Sequence, residues 1–287
     1  MRTINPHLQR AKHFLLFATP AIAGSVLAVS PSYAATFATS QGESLYINFS
    51  QKPFLTDSVA DTDTLAVSKQ GLVNAFADAQ AGFLTEPSFA STSSLSTALG
   101  ETRNYLGLAK SETIVRGFFN VEANTPFRFD FTANLDLETS IDNPPGENAR
   151  AAGDIFLALV DTERERVLDF FSLVGNLNTL GDDDFLALDK SENITFLEPE
   201  SEYNYSFGGN NEFITASVKG SLNREITQDT VLALVEIRRN QAKVQAPEPS
   251  SILALLAPSA VVSLVLKGKR KGKSLESSSE SKVSAEV

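Results

Sequence analysis

The stretch Phe127-Arg128-Phe129-Asp130-Phe131-Thr132-Ala133-Asn134-Leu135-Asp136-Leu137-Glu138 decides the fold. Apolar and polar residues alternate without a break over its length, and successive side chains of a strand point to opposite faces. It therefore predicts one long β-strand with a buried and a wet side. Upstream, residues 113–121 form a second apolar run, and residues 120–126 supply a turn. The two strands are thus expected to pair as a hairpin. Downstream, Asn143-Pro144-Pro145-Gly146 ends the long strand, because proline cannot donate to a ladder.

Further strands follow at short spacing. Residues 155–160 are apolar on both faces, and a charged turn at 161–166 leads into residues 167–174, a second expected hairpin. Shorter runs at 185–188, 194–197, 203–207, 213–218 and 231–237 are separated by turns rich in Gly, Asn and Asp, and residues 45–49 add one near the start. Only residues 71–84 look helical, with Leu72, Val73, Phe76, Ala79 and Phe83 on one helical face. The Ser/Thr-rich residues 88–97 look like a surface loop. The expected fold class is all-β, an antiparallel β-sandwich or jelly-roll-like domain with one short helix.

Counting excludes much chemistry. The 287 residues contain no Cys, and the two histidines, His7 and His13, lie near the N-terminus. Beyond residue 34 no His- or Cys-based triad and no thiolate or imidazole zinc site is available. Of the 35 acidic residues 32 fall within 35–249, against 15 of the 24 basic ones, a net charge near −17. Such a surface repels nucleic acid and anionic lipid heads. No nucleic-acid partner is expected.

The two ends carry addresses. Arg2, Arg10 and Lys12 precede an apolar run, residues 14–29, and Ser32-Tyr33-Ala34 places small residues before Ala35. Residues 1–34 read as a signal peptide cleaved between Ala34 and Ala35, the alternative being a retained membrane anchor. At the other end Pro247-Glu248-Pro249 is followed by an apolar segment, 250–266, and the cluster Lys267, Lys269, Arg270, Lys271 and Lys273. Seventeen apolar-biased residues sit at the short limit for a membrane helix, and the cations beyond hold that end in the cytoplasm. Residues 35–246 are then an exported acidic domain, and 274–287 a disordered cytoplasmic tail.

The order of Pro247-Glu248-Pro249, apolar helix and basic cluster, with a signal peptide at the other end, resembles the PEP-CTERM sorting signal of bacterial exosortase substrates, over residues 247–273. That resemblance implies recognition and cutting near the tripeptide by a membrane exosortase, in bacteria that make exopolysaccharide. The tail after Lys273 departs from the family, whose members usually stop soon after the basic cluster; an ordinary C-terminal membrane anchor is the alternative. The strand order from Thr113 to Pro249 is also similar to that of secreted cyanobacterial PEP-CTERM proteins, which implies a domain type and no reaction.

Within the domain, Asp182, Asp183 and Asp184 offer oxygen ligands for a weak Ca²⁺ site on a turn, although their spacing matches no EF-hand loop. Solvated turn residues are the plainer reading. Tyr203 and Tyr205 offer ring faces to sugars, or else the core face of a strand. No catalytic residue is assigned and no other cofactor is expected. The reading is an exported, non-catalytic cell-surface or extracellular-matrix protein, transiently held by its C-terminal helix, processed by exosortase and associated with exopolysaccharide. The alternative is a Ca²⁺-assisted carbohydrate-binding domain or a carboxylate-dependent glycan hydrolase.

Overall fold

The computed structural model describes residues 35–246, so the expected signal peptide, sorting signal, membrane helix and tail lie outside the described residues. Among the described residues no helix is long and apolar enough to cross a membrane. Eleven strands run in chain order: β1 (Ala35–Ile47), β2 (Leu55–Thr85), β3 (Ser88–Val121), β4 (Thr125–Ser140), β5 (Asn148–Asp161), β6 (Arg166–Asn178), β7 (Phe185–Lys190), β8 (Ile194–Phe196), β9 (Glu202–Ser206), β10 (Asn211–Ile226) and β11 (Thr230–Ala246). Among the described residues a 3₁₀ turn, Glu198–Glu200, interrupts them. All pairings are antiparallel, as expected for an all-β chain.

One long hairpin organises the rest. β2 and β3 pair along their whole lengths, from Leu55 opposite Phe118 to Thr85 opposite Ser88. On its other side β3 pairs with β1 through residues 90–101 and with β11 through residues 105–121. Between those blocks the hairpin folds over, with Gly71 at φ +131°, Thr102 at +74° and Asn104 at +59°. The bend needs glycine, since a Cβ on Gly71 would sit 2.1 Å from Thr102 Oγ1 and 2.3 Å from the Glu101 carbonyl oxygen. Thr102 Oγ1 and Asn104 Nδ2 hold the corner by donating to the backbone oxygen and Oε1 of Gln70.

The sheet therefore doubles back into two facing layers. One holds the 72–85 arm of β2, the 88–101 arm of β3, then β1, β4, β10 and the short β8 and β9; the other holds the remaining arms, then β11, β5, β6 and β7. Beside the crease Tyr105 and Ile141 pack among alanines; a little farther on the layers touch through hydroxyls, where Ser96 and Ser111 Oγ are 3.0 Å apart and Ser40 Oγ donates to the Ala152 carbonyl. Farther from the crease aromatic residues fill the space. Phe127, Phe129, Phe131, Leu135 and Leu137 are at most 3 % exposed, and Phe131 meets Phe171 of the facing layer at 5.1 Å. The strand predicted from alternation is thus the core wall it promised to be. Residues 155–160 and 167–174 also pair as expected, through β5 and β6.

Three expectations are corrected. Residues 71–84 are strand, not helix: the inward positions are Val73, Ala75, Ala77, Ala79, Ala81 and Phe83, a period of two carried by alanines that also suit a helix. Residues 88–97 are not a surface loop. They lie in β3, where Thr92, Ser94 and Ser96 are buried against Glu236 and Asn240 of β11 and hydrogen-bond to them. Residues 113–121 do not pair with 127–137, since both edges of β3 are taken by β2 and β11. The turn at 122–124 instead carries the chain across the core to β4, which pairs with β1 and β10.

Candidate functional site

Away from the crease hairpin, the two layers do not join. β7 ends one layer and pairs only with β6, while β9 ends the other and pairs only with β10. Tyr203 lies opposite buried Ala216 and Tyr205 opposite buried Ile214, so both rings are on the core-facing side. Leu186 and Leu188 of β7 likewise lie opposite Gly175 and Leu173. Among the described residues no further strand covers them, and Tyr203 stays 42 % and Tyr205 56 % exposed. The result is an open slot of about 470 Å³ walled by Phe185, Leu186 and Leu188 on one side and Tyr203, Tyr205 and Phe207 on the other. The Tyr205 and Phe207 rings stack at 4.7 Å and 19°. Burial and the Glu198 carboxylate push the Tyr203 hydroxyl above its ordinary value.

One carboxylate stands in this slot, with a second buried beside it. Asp184 lines it, and its Oδ1 accepts from the Asn178 backbone N–H at 2.7 Å. Beside Asp184, Glu212 of β10 is 2 % exposed and accepts from Thr139 Oγ1 at 3.1 Å and the Gly208 N–H at 3.0 Å. Burial pushes the Glu212 carboxyl up, and the Asp184 carboxylate pushes it further; the hydroxyl and N–H donors oppose both.

The acidic turn is occupied by its own neighbours. Asp183 Oδ1 accepts from Asn178 Nδ2 at 2.8 Å, its carbonyl accepts from Asn176 Nδ2 at 2.8 Å, and Arg150 approaches its Oδ2 at 3.8 Å. The Asn178 amide, ahead of the other contacts, holds the Asp183 carboxyl below the usual range. Asp182 and Asp184 flank it in sequence, yet among the described residues no three acidic, His or Cys side chains converge as a metal site. The sorting motif Pro247, Glu248 and Pro249, the Ala34 side of the cleavage site and the basic cluster lie outside the described residues.

Two further grooves, both open and bearing charged residues, lie among the described residues. On the outer face of the second layer a groove of about 540 Å³ holds Arg239 between Glu112, at 3.1 Å, and Asp154, at 3.9 Å. Partial burial raises the Asp154 carboxyl against the pull of Arg239. At the end away from the crease, Arg164, Arg166 and Arg224 line a cleft of about 290 Å³ in which Arg164 pairs with Asp161; Arg224 pairs with nearby Asp169.

The sequence reading missed a buried ion pair. Glu236 and Arg238 of β11 are fully enclosed, 3.1 Å apart. Thr92 Oγ1 donates to both Glu236 oxygens at 3.0 Å, while Arg238 donates to the Thr92 carbonyl and to Ser44 Oγ. The Arg238 Nε finds no acceptor, and the Tyr46 hydroxyl, set beside Ser44 and Glu236, makes no bond of good geometry. The signal was present: Glu236 and Arg238 fall in phase with Leu232 and Leu234 on the inner face. The pair has no route to solvent and serves the packing between layers.

No family model, curated protein or solved structure matches the chain.

Proposed function

We propose that this chain is an exported, non-catalytic cell-surface or extracellular-matrix protein, sorted and processed by an exosortase through its C-terminal signal, on a sandwich scaffold that associates with exopolysaccharide. The observation that carries the polysaccharide part is the uncovered aromatic slot. Tyr203, Tyr205 and Phe207 present ring faces along one wall, and such faces take the C–H side of sugar rings while the hydroxyls and Asp184 accept hydrogen bonds. Its wide mouth suits a chain ligand lying along the edge.

Affinity electrophoresis of the full-length protein in detergent, in gels containing acidic or neutral bacterial exopolysaccharide, tests this reading. Retardation should fall at least several-fold in Tyr205→Ala, with unchanged mobility in a gel lacking polysaccharide. Equal retardation of both proteins would remove the slot from the proposal. A second reading, glycan hydrolysis, is favoured by one observation, the Asp184 carboxyl in the slot with the buried Glu212 carboxyl beside it. Release of reducing ends by the native protein, abolished in Glu212→Gln, would support it over the non-catalytic reading.

A further inference from the structure

We propose that the slot between β7 and β9 selects a glycan carrying free amino groups, with a sugar ammonium held at Asp184 and the sugar rings against Tyr205 and Phe207. The inference rests on the reading of that slot as the polysaccharide site, and adds the chemical class of polysaccharide it takes.

The charge of the slot makes the selection. Asp184 is the one charged side chain among its described lining residues, and no lysine or arginine stands there to neutralise it. Lys190 follows Leu186 and Leu188 on the same face of β7, yet it is engaged elsewhere. Its ammonium donates to the Ile194 carbonyl at 2.7 Å and lies 5.3 Å from the centre of the Phe196 ring. Glu198 adds negative potential at the Tyr203 hydroxyl. A uronate or sulfated chain would thus meet like charge inside the slot, and outside it a domain with a net charge near −17.

The carboxylate is fixed and still has capacity. Asp184 Oδ1 accepts from the Asn178 N–H at 2.7 Å, which holds the group in place. A carboxylate offers about four lone-pair sites, so an ammonium can add its own charge-assisted hydrogen bond. The Asp184 charge raises the neighbouring Glu212 carboxyl, and a cation seated at Asp184 relieves that repulsion. The aromatic wall favours the same ligand. Tyr205 and Phe207, stacked at 4.7 Å, form a π-rich surface that attracts cations as well as the C–H groups of sugars. Carboxylate and rings therefore agree on a cationic sugar, where a neutral one would satisfy the rings alone.

Calorimetric titration of the full-length protein in detergent, at fixed ionic strength, tests the selection. The probes are glucosamine oligomers, the same oligomers N-acetylated, galacturonate oligomers and a lysine oligomer. The amino form should bind about tenfold more tightly than the acetylated form, the worth of one charge-assisted contact, and galacturonate should not bind. Asp184→Asn keeps an oxygen for the Asn178 N–H and should bring the amino form down to the acetylated level. Glu122→Gln, the same change of net charge at an exposed turn between β3 and β4, should leave the preference intact. Tyr205→Ala should weaken the amino form several-fold with the charge unaltered, and Tyr205→Phe should restore it. Equal, Tyr205-dependent binding of the amino and acetylated forms would overturn the amino selection and leave the slot as a polysaccharide site. Binding of no glycan in a Tyr205-dependent way would overturn both. If the glucosamine oligomer binds as the lysine oligomer does, indifferent to Tyr205→Ala, the attraction is that of the net charge alone and the proposal is likewise overturned.

Discussion

Arg238 carries a large single-residue consequence in the core. Removing its guanidinium leaves the Glu236 carboxylate buried without a cation, a loss of roughly 3 to 5 kcal/mol. Arg238→Met should lower stability by about that amount in urea unfolding, and adding Glu236→Gln should recover part of it. Glu212 gives a pH-dependent counterpart. Its folded carboxyl is raised by burial and by Asp184, so its favourable contribution is complete below the unfolded value near 4.3 and is lost as pH rises through the folded value. Glu212→Gln should flatten the fall in stability above about pH 4.3, and an unchanged slope would place the titration elsewhere. Phe129→Ala should cost about 3 to 5 kcal/mol, since its ring meets Tyr46, Phe49, Phe127 and Phe131. Such roles were unequally legible in sequence. Phe129 stood in an uninterrupted alternation, while Glu236 and Arg238 obeyed the same period with charges that ordinarily mark a wet face.

At the scale of elements, the bend in β2 and β3 decides whether the chain has one flat sheet or two layers. Gly71→Ala should destabilise by at least about 1 to 3 kcal/mol through its positive φ alone, with the clash against the Glu101 carbonyl adding to it. Thermal melts of the variant beside Gly82→Ala check this, because a Cβ on Gly82 meets nothing within 4 Å. A drop confined to Gly71→Ala ties the cost to the crease. This element is also where sequence reading failed. Alanine at 75, 77, 79 and 81 satisfies strand alternation but is the best helix former, and tertiary pairing with β3 overrides that preference. Threonine and serine at 92, 94 and 96 resemble a loop until Glu236 and Asn240 of the facing layer give their hydroxyls buried partners. The candidate slot was half visible: Tyr203 and Tyr205 fell on the core face by period, but nothing local says that a core face will lack a cover.

At the scale of the whole molecule, both ends of the described chain flank one corner. Ala35 pairs with Glu101 and Ala246 with Tyr105, on the same side of β3. The Ala35 backbone nitrogen donates to Asp142 Oδ2 at 2.9 Å, a contact that a free ammonium created by cutting after Ala34 would strengthen. At the other end β11 stays paired through Ala246, so a cut at Pro247-Glu248-Pro249 removes no strand residue. Cuts at both of these places would therefore leave the sheet intact, and a chain of residues 35–246 should melt at the same temperature as the full chain. In a strain with an active exosortase, mass spectrometry of envelope material should find an N-terminus at Ala35 and no peptide beyond about residue 251. Changing Pro247, Glu248 and Pro249 together to alanine should leave residues 267–287 on the membrane-bound protein. Native material that keeps those residues would reduce the signal to a plain anchor.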